Sequence, residues 1–309
     1  MSGKFGVVLL VGPGEKEIAR ARDLIDSLET YEPGRFRLIV VDDDAKGRHL
    51  LPKIAPCLGE TSVELLNPRR GRSEGWGSGS TVGILAGLRC AAAMKDLEFV
   101  VKVDTDTLII RSFSDQIKTR FREQPRIGML GQYLSGPNKD YGAPFLEKLL
   151  RQVAFRYRAS GGVPMLQVAF WGRFKRMRDT IRSALLEGYR LGEHCQGGGY
   201  AISRPCLEAF ESKGLLDDPC SWLTFSEPLG EDRIVSMCAV AGGFLLQGYN
   251  RDGEPFGVQY RGLADSPERM VARGFAIIHS VKDHEDQKED DTRAFFRALR
   301  ENCAMQIAE

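Results

Sequence analysis

The sequence predicts an α/β protein, a mostly parallel sheet flanked by helices on both faces. Two observations carry that expectation. Short apolar runs alternate with amphipathic stretches through the first 135 residues, and two of these runs close directly on clustered aspartates. The composition agrees, because 42% hydrophobic and 28% charged residues over 309 positions is globular and supplies a core large enough for such a sheet.

The elements follow in order. Residues 5–11 form a short apolar run stopped by Gly12-Pro13-Gly14, the pattern of a buried parallel strand. Residues 15–28 place Ile18, Ala21, Leu24, Ile25 and Leu28 at helical spacing, with acids at the positive helix start. Residues 36–41 are a second strand, closing on Asp42-Asp43-Asp44, and Ser62–Leu66 reads as a third. A Gly/Ser-rich loop, 71–79, leads into a helix over 81–94 that Ser80 or Thr81 would cap. Residues 98–103 are the next strand, running into Asp104-Thr105-Asp106, and 127–130 another. In sheets of this kind ligands bind beyond the carboxyl ends of the strands, where both acidic clusters stand.

The chain then changes character. Between Lys148 and Arg182 there are nine basic residues against one acid, Asp179. Trp171, Phe174, Met177, Ile181 and Leu185 share one helical face, so 136–190 reads as an inserted basic helical segment packed on the core. The sharper reading makes 148–182 a lid, an acceptor surface or a peripheral membrane contact. The last third holds Gly197-Gly198-Gly199-Tyr200, then Gly230-Glu231-Asp232, a strand over 275–278 ending at His279, and a final helix after the acidic stretch 283–291. Neither a repeat nor a low-complexity linker divides the chain. The expectation is a single domain over 1–309: a strand-helix half (1–135), the insertion (136–190), a second half (191–285) and a C-terminal helix (286–309).

A formal net charge of +1 argues against a polyanionic partner, and no nucleic-acid-binding motif occurs. Seven scattered cysteines without a CxxC pair point to reduced thiols and a cytoplasmic setting, extending to the inner face of a membrane if the basic segment docks there. No stretch reaches the roughly 18 apolar residues of a membrane span, and the opening apolar run is too short for a signal peptide.

The chemistry concentrates at the aspartates. Asp104 and Asp106 follow a buried strand, where the turning backbone lets both carboxylates reach one site. Such hard oxygen ligands suit Mg²⁺ or Mn²⁺, ions that also bind diphosphate oxygens. A carboxylate of Asp42 or Asp43 is placed to accept a hydrogen bond from a pyrimidine N–H or a ribose hydroxyl. Gly198 and Gly199, within three consecutive glycines, let the backbone approach a ligand closely. Asp232, before a helical stretch, is either a helix-end charge or a general base for an acceptor hydroxyl. His279, at a strand end, offers an imidazole to the same metal.

In this order the motifs resemble the inverting GT-A glycosyltransferases. Val41-Asp42-Asp43 resembles the nucleotide-binding strand of glycosyltransferase family 2, and Lys102-Val103-Asp104-Thr105-Asp106 the metal-binding DxD of that fold. The segments Gly197 to Ser203 and Gly230-Glu231-Asp232 resemble the beta-1,3-galactosyltransferase and Fringe-like group. His279, in Ile-Ile-His-Ser-Val-Lys, is similar to the late metal-binding histidine of many GT-A enzymes. The resemblance implies a GT-A fold and transfer of a sugar from a nucleotide-sugar donor, UDP-linked, to a glycan, lipid-linked or small-molecule acceptor. It also implies Asp43 at the base, Asp104 at the ribose or metal, Asp106 and His279 at the metal, and Asp232 as the base of an inverting displacement. Two alternatives use the same residues. Asp104-Thr105-Asp106-Thr107-Leu108 fits the opening motif of haloacid dehalogenase-like phosphatases, and a non-catalytic nucleotide-sugar binder would keep the acids but need no base.

Overall fold

The computed structural model describes residues 4–44, 47, 49–56, 62–68, 78–135, 177, 179–217 and 223–308. Among them a seven-stranded sheet has the order β3-β2-β1-β4-β7-β6-β8. Its strands are β1 (Lys4–Val11), β2 (Phe36–Asp42), β3 (Ser62–Leu66), β4 (Leu97–Val103), β6 (Ile127–Leu134), β7 (His194–Ser203) and β8 (Leu245–Gly248). Only β7 runs against the rest. A three-stranded sheet, order β5-β10-β9, is made of β5 (Leu108–Ile109), β9 (Phe256–Val258) and β10 (Ile277–His279). The expected α/β class with a mostly parallel sheet is the class observed.

Apolar side chains of the large sheet alternate between two cores. Val8, Ile39, Val100 and Ile202 face α3 (Ser78–Ala93), α5 (Arg204–Ser212) and the second half of α6 (Leu223–Ala241). Val7, Leu38, Phe99 and Val101 face α1 (Glu15–Tyr31), α4 (Ser114–Glu123) and the small sheet. Glycines let α3 lie close to the sheet, since a Cβ on Gly87 would stand 2.7 Å from Val8 Cγ1. Burial of this kind, about 25 cal/mol per Å² of apolar surface, is the main force holding the layers together.

The C-terminal helix, α8 (Glu289–Ala308), docks on α1 through a buried ionic lattice. Arg293 donates to Asp23 Oδ2 at 2.7 Å and to Glu289 Oε1 at 2.9 Å, Arg20 donates to Glu289, and Arg300 donates to Asp23. Charges this well buried hold only when each has partners.

Several boundaries differ from the sequence reading. Helix α3 begins at Ser78, so Thr81 is a buried interior residue rather than a cap. The three glycines lie inside β7, where Gly199 pairs with Val103 of β4. Most of 136–190, with Trp171, Phe174 and eight of the nine basic residues, lies outside the described residues. Of the rest, Met177 and Ile181 are buried as expected, whereas Leu185 is 37% exposed and Arg182 faces solvent. Among the described residues no helix is long and apolar enough to cross a membrane, and Cys90, Cys195, Cys206 and Cys238 are free.

Candidate functional site

Strand register assembles the site. Antiparallel pairing of β4 with β7 sets Val103 opposite Gly199, which brings the next residue, Asp104, to Gly198; Asp104 N–H donates to Gly198 O at 3.4 Å. Pairing of β5 with β10 sets Leu108 opposite Ile278, so His279, one residue after Ile278, meets Asp106, two residues before Leu108. His279 Nε2 stands 3.4 Å from Asp106 Oδ2 and 3.7 Å from Asp104 Oδ2. Ligand atoms of Asp104, Asp106 and His279 all lie within 4.8 Å of one another. Two carboxylates and an imidazole on one point are a donor set that fits a divalent metal ion.

Neighbouring groups hold these ligands. His279 Nδ1 meets Gln259 O at 2.6 Å, which fixes the proton on Nδ1 and turns Nε2 toward the aspartates. Asp106 Oδ2 accepts from Ser280 Oγ at 2.7 Å, with Lys282 Nζ at 3.3 Å. Burial works against ionisation of Asp106, but His279, Lys282 and Ser280 outweigh it and hold the carboxyl well below the usual range. Burial would lower His279 as well, yet Asp106 and Asp104 hold it above its ordinary value. Glycine is required at 198, where a Cβ would fall 2.2 Å from His279 Nδ1. At Gly199 a Cβ would stand 3.3 Å from Ile277 Cγ2. Both glycines therefore face protein: one makes room for the imidazole, the other for the small sheet.

A second acidic group lies beside the first. Lys102, on β4, is buried, and its ammonium donates to Asp104 Oδ1 at 2.7 Å, Gly197 O at 2.5 Å and Glu231 Oε1 at 2.5 Å. Burial disfavours the charge, but Asp104 and Glu231 more than offset this, so Lys102 stays an ammonium. Burial pushes the Glu231 carboxyl up, with Lys102 opposing. Glu231 and Asp232 open the second half of α6, after Gly230 breaks the helix with φ 71° and ψ 160°, a conformation glycine alone adopts readily. Asp232 accepts from Arg233 N–H at 2.8 Å, and its Oδ2 lies 3.7 Å from His194 Nε2.

The third group is at the end of β2. Asp42 is fully buried, and its Oδ1 accepts from Asp44 N–H at 2.7 Å. Asp43 Oδ1 accepts from Asn67 Nδ2 at 2.6 Å, and Asn67 Nδ2 also donates to Gly79 O at 2.9 Å. Burial pushes Asp43 up to about 6, Asn67 opposing and Asp42 adding. β2 and β4 flank β1, so Asp43 and Asp104 share one sheet edge two strands apart, roughly 10 Å at ordinary strand spacing.

Every residue proposed from sequence thus lies at this edge or at the junction of the two sheets. Sequence reasoning did not single out Lys102, Asn67, His194, Ser280 or Lys282. Lys102 carried a signal in retrospect, a lone lysine within the buried run Phe99 to Val103. The others depend on pairings between distant segments.

No protein-family model matches the sequence, and a search of curated proteins finds no match. Among solved structures the chain is similar to S. aureus TarS, at 23% identity over 44% of this chain and 22% of that one, with a TM-score of 0.31. TarS 1–349 in complex with UDP gives 21% identity, 44% and 37% coverage and a TM-score of 0.31. Mouse xyloside xylosyltransferase 1, apo form, gives 12% identity, 79% and 84% coverage and a TM-score of 0.41. The chain thus matches 22% to 37% of the length of the TarS chains.

Proposed function

We propose that the protein is a metal-dependent glycosyltransferase of the GT-A type, moving a sugar from a UDP-linked donor to a hydroxyl acceptor with inversion. The observation that carries this reading is the convergence of Asp104, Asp106 and His279 on one point at the strand-end edge, with Asp232 nearby across Lys102 and Glu231.

In this reading Asp43, steadied by Asn67, accepts the N–H of the base, and Asp104 serves the ribose or metal side. The Asp104–Asp106–His279 set holds Mn²⁺ or Mg²⁺, which supplies Lewis-acid neutralisation of the diphosphate. Lys282, 43% exposed beside Asp106, offers a second positive charge to a phosphate oxygen. Asp232 takes the proton from the acceptor hydroxyl. The acceptor oxygen bonds to the anomeric carbon as the bond from that carbon to the diphosphate oxygen breaks, and the diphosphate leaves with the electron pair. Gly198 and Gly199 serve by keeping His279 and the small sheet close. The acceptor, whether glycan, lipid-linked or small molecule, is left to the face that carries Asp232.

The phosphatase alternative asks Asp106 to give and take a proton. Its Oδ2 is instead engaged by Ser280, Lys282 and His279, which suits a carboxylate kept ionised as a ligand. The non-catalytic binder leaves Asp232 without a task.

Thermal denaturation with UDP, with and without Mn²⁺, tests the donor site. Ligand at 100 times its dissociation constant adds about 2.7 kcal/mol of stability. Asp106→Ala is expected to lose the Mn²⁺-dependent part. Asp232→Asn is expected to keep it while UDP release from UDP-sugars falls at least 100-fold, within the usual worth of a general base. Absence of any Mn²⁺-dependent stabilisation by UDP sinks the donor assignment, and full turnover by Asp232→Asn sinks the base assignment.

A further inference from the structure

Lys102 is a costly residue for its place. Its side chain is 2% exposed, one residue from the end of an apolar strand, where an ammonium persists only if its donors are filled. All three are filled, and the partners come from three elements: Asp104 after β4, Gly197 in β7 and Glu231 at the restart of α6. The strut is tightly packed, since a Cβ on Gly197 would stand 3.1 Å from Glu231 Oε1, and the Tyr200 ring lies 5.7 Å from the ammonium.

The oxygens are divided unequally. Lys102 holds Asp104 through Oδ1, while the other oxygen, Oδ2, faces His279. Glu231 is held through Oε1, and its Oε2 is buried with no hydrogen-bond partner among the described residues. One ammonium therefore separates Glu231 from Asp104, and hence from the candidate metal cluster. A carboxylate oxygen is a hard ligand of the kind such divalent ions accept, and Glu231 has one to spare.

We infer that Lys102 is a positioning residue that divides the acidic pocket in two. It leaves Asp104 a single oxygen for the cluster with Asp106 and His279, and it keeps Glu231 out of that ligand shell, on the side of Asp232. The inference rests on the metal reading of the Asp104–Asp106–His279 cluster and goes beyond it, because it assigns what limits the shell to three protein ligands.

The test is a double-mutant cycle on the intact chain without nucleotide, with Mn²⁺ affinity read by electron paramagnetic resonance at mildly alkaline pH. Lys102→Met keeps the length and removes the charge. It is expected to bind Mn²⁺ at least about ten-fold more tightly than wild type while UDP release from UDP-sugars falls, a split that general loosening of the fold does not produce. Glu231→Gln is expected to change Mn²⁺ affinity less than about two-fold in wild type but to abolish the gain in the Lys102→Met background. An equal effect of Glu231→Gln in both backgrounds means simple charge addition and overturns the inference. Should Lys102→Met not fold, Glu231→Gln alone still decides, because a loss of ten-fold or more in Mn²⁺ affinity would show Glu231 already in the shell. Failure of wild type to bind Mn²⁺ sinks the metal reading itself, whereas binding with an additive cycle sinks only the role of Lys102.

Discussion

Alanine at position 198 should do more damage than alanine at 199, although both replace a glycine in the same strand. At 198 the new methyl would lie 2.2 Å from His279 Nδ1, 2.3 Å from Cγ and 2.6 Å from Cε1, where ordinary contact begins near 3.4 Å. More than an ångström of movement is required. The backbone of Gly198 resists, since its carbonyl accepts from Thr107 Oγ1 at 2.8 Å. The imidazole must therefore swing, against its 2.6 Å contact with Gln259 O, and it carries Nε2 away from Asp104 and Asp106. Overpacking of this degree costs about 1–3 kcal/mol, and a displaced ligand costs about 10–100-fold in metal affinity. At 199 the nearest atoms are methyls at 3.3 and 3.4 Å, which yield by a few tenths of an ångström, so the cost there stays below about 1.5 kcal/mol. Thermal denaturation and Mn²⁺ titration of Gly198→Ala and Gly199→Ala measure both quantities. Wild-type Mn²⁺ affinity in Gly198→Ala, or a greater loss in Gly199→Ala, would refute the packing argument.

Two further outcomes follow from burial and charge. Because burial pushes Asp43 up to about 6, and an ionised carboxylate accepts the N–H of a base better than a protonated one, UDP affinity should fall as pH drops below about 6. The steepest slope is about ten-fold per pH unit; calorimetry should show it in wild type and not in Asp43→Asn, and equal slopes would remove Asp43 from the base site. Arg293→Met deprives buried Asp23 and Glu289 of one cation each and should cost roughly 3 kcal/mol in urea unfolding, the low end for a broken buried pair because Arg20 and Arg300 remain. Burial opposes ionisation of Glu289, but Arg20, Lys16 and Arg293 hold it down to about 2; its contribution is present above its unfolded value of 4.5 and is lost as pH falls from there toward 2. A loss under 1 kcal/mol would show the lattice to be incidental.

Strands of the parallel half were legible because a strand buried on both faces leaves a continuous apolar run, and the two aspartate clusters marked their carboxyl ends. His279 was legible as a candidate for the same reason, an apolar run ending in a ligand-type residue. The role of the glycines was not. Sequence shows that three side chains are missing, but not that Gly198 makes room for an imidazole and Gly199 for a second sheet, since both facts depend on packing 80 residues downstream. Lys102 was hidden differently. A single lysine in an apolar run looks like a solvated edge, and only the meeting of Asp104 with Glu231, 127 positions apart by chain numbering, turns it inward. Asn67 and Ser280 are ordinary polar residues that gain meaning from one neighbour each.

The separation of His279 from the two aspartates along the chain has a consequence for biogenesis. Asp104 and Asp106 leave the ribosome well before their imidazole partner, which sits on β10 in a separate sheet, 173 positions after Asp106. β7, whose Gly198 receives that imidazole, must itself pair with β4 across about a hundred residues, a closure slowed by loop entropy. On the proposed metal reading, tight binding is therefore withheld from the nascent chain until His279 has emerged and both sheets have assembled. A ribosome-bound chain arrested before residue 279 should carry both aspartates and hold Mn²⁺ weakly, whereas release of the finished chain should switch the affinity on.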